Sequence, residues 1–188
     1  MKAIRNLMTG TVLALLASTA LADAYDSALK NFRDAGQSAA FFGKSYAYAV
    51  FPTVGKAGLV IGGAHGDGKV YVGGRYVGDS TLTRLSVGFQ AGGQAYSQII
   101  FFENKKAYDK FTSRDFEFSA GASAVLITAG ATAEAGTTGA SASASATKKN
   151  AATTGRYENG MAVFNIVKGG AMYEASLGGQ HYKFKAAK

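Results

Sequence analysis

The feature that most restricts the fold is the long stretch that follows Tyr46 to Pro52, with strand pattern from Ala57 to Phe102. Short period-two runs of valine, tyrosine, phenylalanine and leucine are cut there by glycines, and the only proline of the chain is Pro52. Alternation of this kind with β-branched and aromatic residues predicts strands, and glycine at this density rules out long helices. The same texture returns later, so the predicted strands are Ala57 to His65, Lys69 to Val77, Thr81 to Gln90, Gln94 to Phe102, Phe116 to Thr128, Met161 to Val167, Met172 to Leu177 and Gln180 to Lys185. Glycine pairs at Gly62, Gly73, Gly92, Gly169 and Gly178 mark tight bends or close backbone approach.

Two segments depart from this pattern. From Asp23 to Phe42, Tyr25, Leu29, Phe32 and Ala39 form an apolar stripe at helical spacing, with Lys30, Arg33, Asp34 and Gln37 on the other side. Asp26–Lys30 and Lys30–Asp34 are i, i+4 pairs of opposite sign. Glu103 to Ser113, with Ala107, Tyr108 and Phe111 between lysines, predicts a short internal helix. The expected fold class is α+β: mainly antiparallel β, barrel- or sandwich-like, with an N-terminal helix and one short internal helix.

The segment IGGAHGDGKVYVGGRYV, Ile61 to Val77, spaces Gly63, Gly68 and Lys69 as a nucleotide-binding P-loop does. A P-loop must lead into a helix and place Ser or Thr after its lysine, whereas here Val70 follows and the continuation alternates as a strand. No nucleotide is therefore expected. The competing expectation is a hairpin turning at Gly66-Asp67 or Asp67-Gly68. That turn would place Leu59, Ile61 and Gly63 on one face with Val70, Val72 and Tyr76, and Lys69, Tyr71 and Arg75 on the other with Val60, Gly62 and Ala64.

At the N-terminus, Lys2 and Arg5 precede the apolar run Leu7 to Leu16, and Ala20-Leu21-Ala22 supplies small residues. This predicts a signal peptide over residues 1–22 and an exported chain, periplasmic or extracellular; a single membrane anchor is the competing reading. Residues 23–188 then form one domain. Losing Lys2 and Arg5 lowers the basic count from 20 to 18 against 12 acids and leaves +6. That charge favours anionic partners, and export excludes nucleic acid as the natural one. Thr128 to Gly155 contains no aromatic, leucine, isoleucine or valine, and reads as a low-complexity insertion at about 128–155 that buries little.

Chemistry-bearing constellations are missing from the sequence. Without cysteine there is no disulfide, thiolate nucleophile or cysteine-bound zinc. His65 and His181 have no partner at metal-ligand spacing, and no nucleophile elbow or paired catalytic carboxylates can be named. The expectation is a non-enzymatic protein without cofactor or metal.

In order along the chain, VFPTVGKAGLVIGGAHGDGKVY (Val50 to Tyr71), SVGFQAGGQAYSQIIFFENKKAYDKF (Ser86 to Phe111), FEFSAGASAVLITAGA (Phe116 to Ala131) and KGGAMYEASLGGQHYKF (Lys168 to Phe184) resemble the SYLF lipid-binding domain, the domain related to the Las17-binding actin regulators. The likeness runs from about Ala28 to Phe184. The chain lacks the W-S-x-P element common in the family, reading GDSTLTRLSVGFQ there, and carries the insertion; both place it in a divergent, exported bacterial branch. The resemblance implies an anionic phospholipid surface, phosphoinositide-like in its head groups, as partner. Actin, a partner of eukaryotic relatives, is not expected for an exported chain. The predicted lipid-binding residues are Lys44, Lys56, Lys69, Tyr71 and Arg75, cations for the head groups and an interfacial ring. The alternatives are a structural or adhesive envelope protein that self-associates through Gly/Tyr-rich strands, and a small porin-like barrel.

Overall fold

The computed structural model describes residues 22–113, 116–118, 124–127 and 156–188, with residues 88–90, 118, 124–127 and 169–178 described at the level of the backbone. The predicted signal peptide and the 128–155 insertion lie outside the described residues.

A mostly antiparallel sheet dominates, as expected, together with an N-terminal helix and short helices. Helix α1 covers residues 22–34 and α2 covers Gly36–Phe42. The single predicted helix is thus two, parted at Ala35, whose backbone is extended (φ −78, ψ 109). Buried Ser38 fixes the break: its hydroxyl donates to the carbonyls of Phe32 (2.5 Å) and Ala35 (3.2 Å), taking up acceptors that a continuous helix would use. The expected Lys30–Asp34 pair forms. The internal helix α3 is Lys105–Thr112, capped by Asn104, whose Oδ1 accepts from the Ala107 N–H at 3.0 Å.

The strands are fewer and longer than predicted. β1 is Ala47–Gly58, β2 Ile61–Val72, β3 Arg75–Phe102, β4 Phe116–Phe118, β5 Ala124–Ile127 and β6 Met161–Ala186. At 28 residues, β3 would stretch about 90 Å if straight. No domain of this size has room for that, so the strand must bend. Its register shows how: residues 75–87 pair with β2, and residues 92–102 pair with β1 on the other side of the same hairpin. β3 therefore wraps around the β1–β2 turn, and the 26-residue β6 wraps around β3. The left-handed backbone of Gly92 (φ 116) sits in the bend, a conformation that favours glycine. Across the sheet the order is β5, the first half of β6, the second half of β3, β1, β2, the first half of β3, the second half of β6, and β4. Among the described strands, only β5 joins in parallel.

The predicted turn at Asp67-Gly68 is absent, and no helix follows Lys69: β2 passes straight through both. The real turns are Leu59-Val60 and Gly73-Gly74, the latter with φ of 55 and 79. Glycines 66 and 68 serve another purpose. They point inward under β1, where a Cβ at Gly68 would lie 2.5 Å from Phe51 Cδ1 and one at Gly66 would lie 2.8 Å from Val54 Cγ2. Moving the turn changes the faces. Inward are Ala64, Gly66, Gly68 and Val70; outward are Ile61, Gly63, His65, Asp67, Lys69 and Tyr71. Ile61 and Lys69, predicted on opposite faces, share one.

The sheet is not closed, yet it curls strongly. Gln98 and Tyr182 lie on strands separated by four strand spacings, about 19 Å in a flat sheet. The Tyr182 hydroxyl nevertheless donates to Gln98 Oε1 at 2.8 Å. Inside the curl lies one core, including Phe51, Leu82, Ile100, Phe102, Phe111 and Tyr182. A second core forms on the convex side, where α1 and α2 bring Leu29, Phe32, Phe41 and Phe42 against Tyr48, Val50, Ile99, Phe101 and Phe164. β1 is buried on both sides, which accounts for its nearly continuous burial from Ala47 to Pro52.

Candidate functional site

Among the predicted binding residues, Lys69 and Tyr71 stand two positions apart on the outward face of β2. Lys69 Nζ lies 4.6 Å from the centroid of the Tyr25 ring on α1 and 5.6 Å from that of Tyr76 on β3. Tyr71 stacks on Tyr48 at 5.1 Å and meets Tyr76 edge-on at 6.0 Å. The result is an aromatic nest around one ammonium, held by cation–π attraction and by burial of the rings. Asp79, opposite Lys69 in register, Asp67, which accepts from the Thr81 hydroxyl at 3.3 Å, and Asp26 on α1, whose charge reaches Tyr71, are acids of this region.

Electrostatics keep these phenols neutral. Burial, reinforced by the negative charges of Asp67 and Asp79, pushes the Tyr25 phenol up to about 12. Burial also raises Tyr71 and Tyr48, with Arg33 opposing the shift at Tyr48, while Tyr76 is raised mainly by its hydrogen bond to Asp79. None of the four offers an anion at physiological pH, so the nest works through ring faces and the Lys69 charge.

Arg75 is exposed at the start of β3, opposite Val72, which pairs in turn with Ala47; Lys44 is exposed just before that strand. Lys44, Lys69, Tyr71 and Arg75 therefore gather toward one end of the sheet. Lys56 does not join them. It lies half-buried toward the other end, in one row with Ala64 and Arg84.

The structure adds residues that the sequence reading left out. Register places Lys185 beyond Asp79 and Lys183 beyond Thr81, so both lysines line up with the outward residues of β2. His65, Thr83 and His181 form the next row, with Glu117 beside His181. At the opposite end of this face, Ile61 stands opposite Val87 and Gly63 opposite Leu85. Leu59, Val60, Ile61, Leu85 and Val87 are exposed at 72, 69, 66, 68 and 59%. The signal for them is the apolar run LVI between Gly58 and Gly62, which a turn placed at Asp67-Gly68 absorbs into a strand.

Two polar features complete the inventory. Inside the curl, Gln98 donates to Asn165 (3.0 Å) and Gln180 (3.4 Å), and Tyr182 donates toward Gln98 and Gln180. Its phenol is raised well above the ordinary range by complete burial, so this network is neutral and already satisfied, a structural pin. Near α3, a depression of about 350 Å³ is lined by Glu103, Asn104, Lys106, Ala107, Lys110, Asn159 and Gly160. Among the described residues no group of three or more His, Asp or Glu side chains could hold a metal ion.

Comparison with known proteins agrees with the resemblance read from the sequence. The model of the Ysc84 family, described as Las17-binding protein actin regulator, matches residues 83–185, from the middle of β3 to the end of β6. The β1–β2 hairpin, whose VFPTVGKAGLVIGGAHGDGKVY segment also resembled the family, precedes the matched residues. No curated protein and no solved structure matches the chain. With more than half of the sequence inside the family model, and with the wrapped β3–α3–β6 core that carries the match in place, this chain belongs to the Ysc84, or SYLF, family.

Proposed function

We propose that this protein is a non-enzymatic module that attaches peripherally to anionic phospholipid surfaces. The family is consistent with lipid binding or an actin-related function. The observation that carries the lipid reading is the outward face of β2, the first half of β3 and the second half of β6. His65, Asp67, Thr83, Lys183 and Lys185 on it are exposed, and none belongs to either hydrophobic core. Lys69, Lys183 and Lys185 converge there beside Tyr71 and Tyr76, with Arg75 and Lys44 at the same end. Each lysine or arginine near an anionic surface contributes about 1 kcal/mol, and rings at that depth suit the head-group layer. Export to the periplasm or beyond, which follows from the N-terminal segment, belongs to the same proposal and makes a bacterial phospholipid the natural ligand rather than actin.

Sedimentation with phosphatidylcholine–phosphatidylserine vesicles across ionic strength tests this. Binding that weakens as salt rises, and that falls for Lys69→Glu with Arg75→Glu or for Lys183→Glu with Lys185→Glu, supports the proposal. Pelleting that is independent of vesicles and persists in high salt refutes it in favour of self-association through strand edges.

A further inference from the structure

Among the described residues, the apolar end of the outward face belongs to neither hydrophobic core. We infer that the β1–β2 turn and the facing segment of β3 form an insertion tip: Leu59, Val60, Ile61, Leu85 and Val87 enter the acyl boundary of the bilayer that the protein binds. The inference rests on the lipid reading above and adds which surface penetrates.

Three observations carry it. The first is exposure: each of these side chains is more than half exposed, and neither hydrophobic core contains any of them. Single exposed apolar residues are ordinary, but five at one turn and its neighbouring strand are not. The second is shape. β1 ends at Gly58 and β2 begins at Ile61, so Leu59 and Val60 form the two-residue turn inside the bend of β3, and Ile61 and Val87, paired in register, continue its apolar surface. Gly63, directly opposite Leu85, has no side chain with which to shield it.

The third observation is charge. From Ala47 to Gly66 and from Ser80 to Phe102, the segments that build this end, the sequence contains no aspartate or glutamate. Lys56 and Arg84, paired in one row with the inward Ala64, lie on the inner face of the same segments. Glu174 is the acid that β6 brings to this end, opposite Gln90 in register. An apolar end built from segments free of acids suits an anionic bilayer, whose acyl boundary takes the apolar groups while its phosphates meet no like charge from these segments.

A second copy of the chain fits less well. Five side chains on a turn expose on the order of 500 Å², short of the ~800 Å² per partner that a stable protein interface buries.

The chain contains no cysteine, so a single introduced thiol labels uniquely. Val60→Cys and Lys106→Cys, the latter on exposed α3 at the other end of β3, are each labelled with the polarity-sensitive dye NBD and mixed with phosphatidylcholine–phosphatidylserine vesicles. The expected result is a blue-shifted, brightened emission at position 60 and an unchanged one at 106. Replacing Leu59, Val60 and Ile61 together by serine should weaken vesicle binding roughly tenfold or more while thermal unfolding stays unchanged. Vesicle binding with a water-like signal at position 60, or serine variants that bind undiminished, overturns the insertion tip and leaves peripheral attachment standing. A signal at 60 that rises with protein concentration in the absence of lipid also overturns it, in favour of a dimer. Failure to co-sediment with any vesicle refutes the lipid reading itself, and the tip with it.

Discussion

Gly68 separates two explanations of the GDG segment, and Gly68→Ala decides between them. In the structure the added methyl would sit 2.5 Å from Phe51 Cδ1, 2.6 Å from Phe51 Cε1 and 2.8 Å from the Val50 carbonyl. Phe51 is fully buried between Val54, Leu82 and Tyr182, so its ring cannot swing away freely. Overpacking of this kind costs about 1–3 kcal/mol. Restricting the unfolded chain offsets about 0.4–1 kcal/mol of that, which leaves a net loss of roughly 1–2 kcal/mol. With a urea dependence of about 1–3 kcal/mol/M, the midpoint should fall by roughly 0.5–1 M. A turn at Asp67-Gly68 would also be harmed by alanine, so the single variant is not enough. The decisive measurement is the double-mutant cycle with Phe51→Leu. If the methyl and the ring compete for space, the smaller side chain relieves part of the damage, and the coupling should reach at least about 0.5 kcal/mol. Additive losses, with Gly68→Ala equally harmful in the Phe51→Leu background, would refute the close-approach explanation.

Tyr182→Phe keeps the ring but removes the hydroxyl bridging Gln98 and Gln180, leaving the buried Gln98 Oε1 without this donor; unfolding titrations should show a loss of about 1–3 kcal/mol. Asn104→Ala removes the acceptor for the Ala107 N–H at the start of α3 and should cost about 1 kcal/mol, whereas Asn104→Asp, which retains an acceptor, should cost less. The Tyr25 phenol, raised to about 12 in the folded protein, keeps its proton where the unfolded chain, with a pKa near 10, has lost it. The stability this gives is present below about pH 10 and falls away as pH rises toward 12, so Tyr25→Phe should flatten the alkaline limb of a stability–pH profile. An unchanged limb would count against burial as the cause.

What the sequence revealed depended on how local the signal was. Period-two alternation identified extended backbone over most of Ala57 to Phe102, though not the greater part of β1, and the 3.6-residue stripe of Leu29 and Phe32 found α1, because both patterns are written in neighbouring residues. The Glu103–Ser113 helix was legible for the same reason. The turns were not. Asp-Gly is a strong hairpin signal, but here Gly66 and Gly68 are small because Phe51 and Val54 lie over them, a requirement set by residues more than ten positions away. Leu59-Val60, the real turn, carries none of the usual turn residues. Misplacing it exchanged the partners of Ile61 and split the predicted binding set, with Lys56 at one end of the sheet and Lys69 at the other.

The unusual length of β3 and β6 links the fold to its function. A hairpin flanked on both sides by the same bent strand needs something to hold the two halves of the curl at a fixed separation, and hydrophobic contact alone is non-directional. The Gln98–Tyr182–Gln180–Asn165 network supplies the direction: its members come from opposite halves of the curl and can be satisfied together only at one curvature. Once that curvature is set, β3 and β6 frame the β1–β2 turn within the sheet, and Leu59 and Val60 stay exposed on it. The polar pin and the apolar tip are then two consequences of one topology. Loosening the pin with Gln98→Leu should therefore alter vesicle binding at Val60 without touching a residue that meets lipid, whereas a tip that acts alone would bind as before.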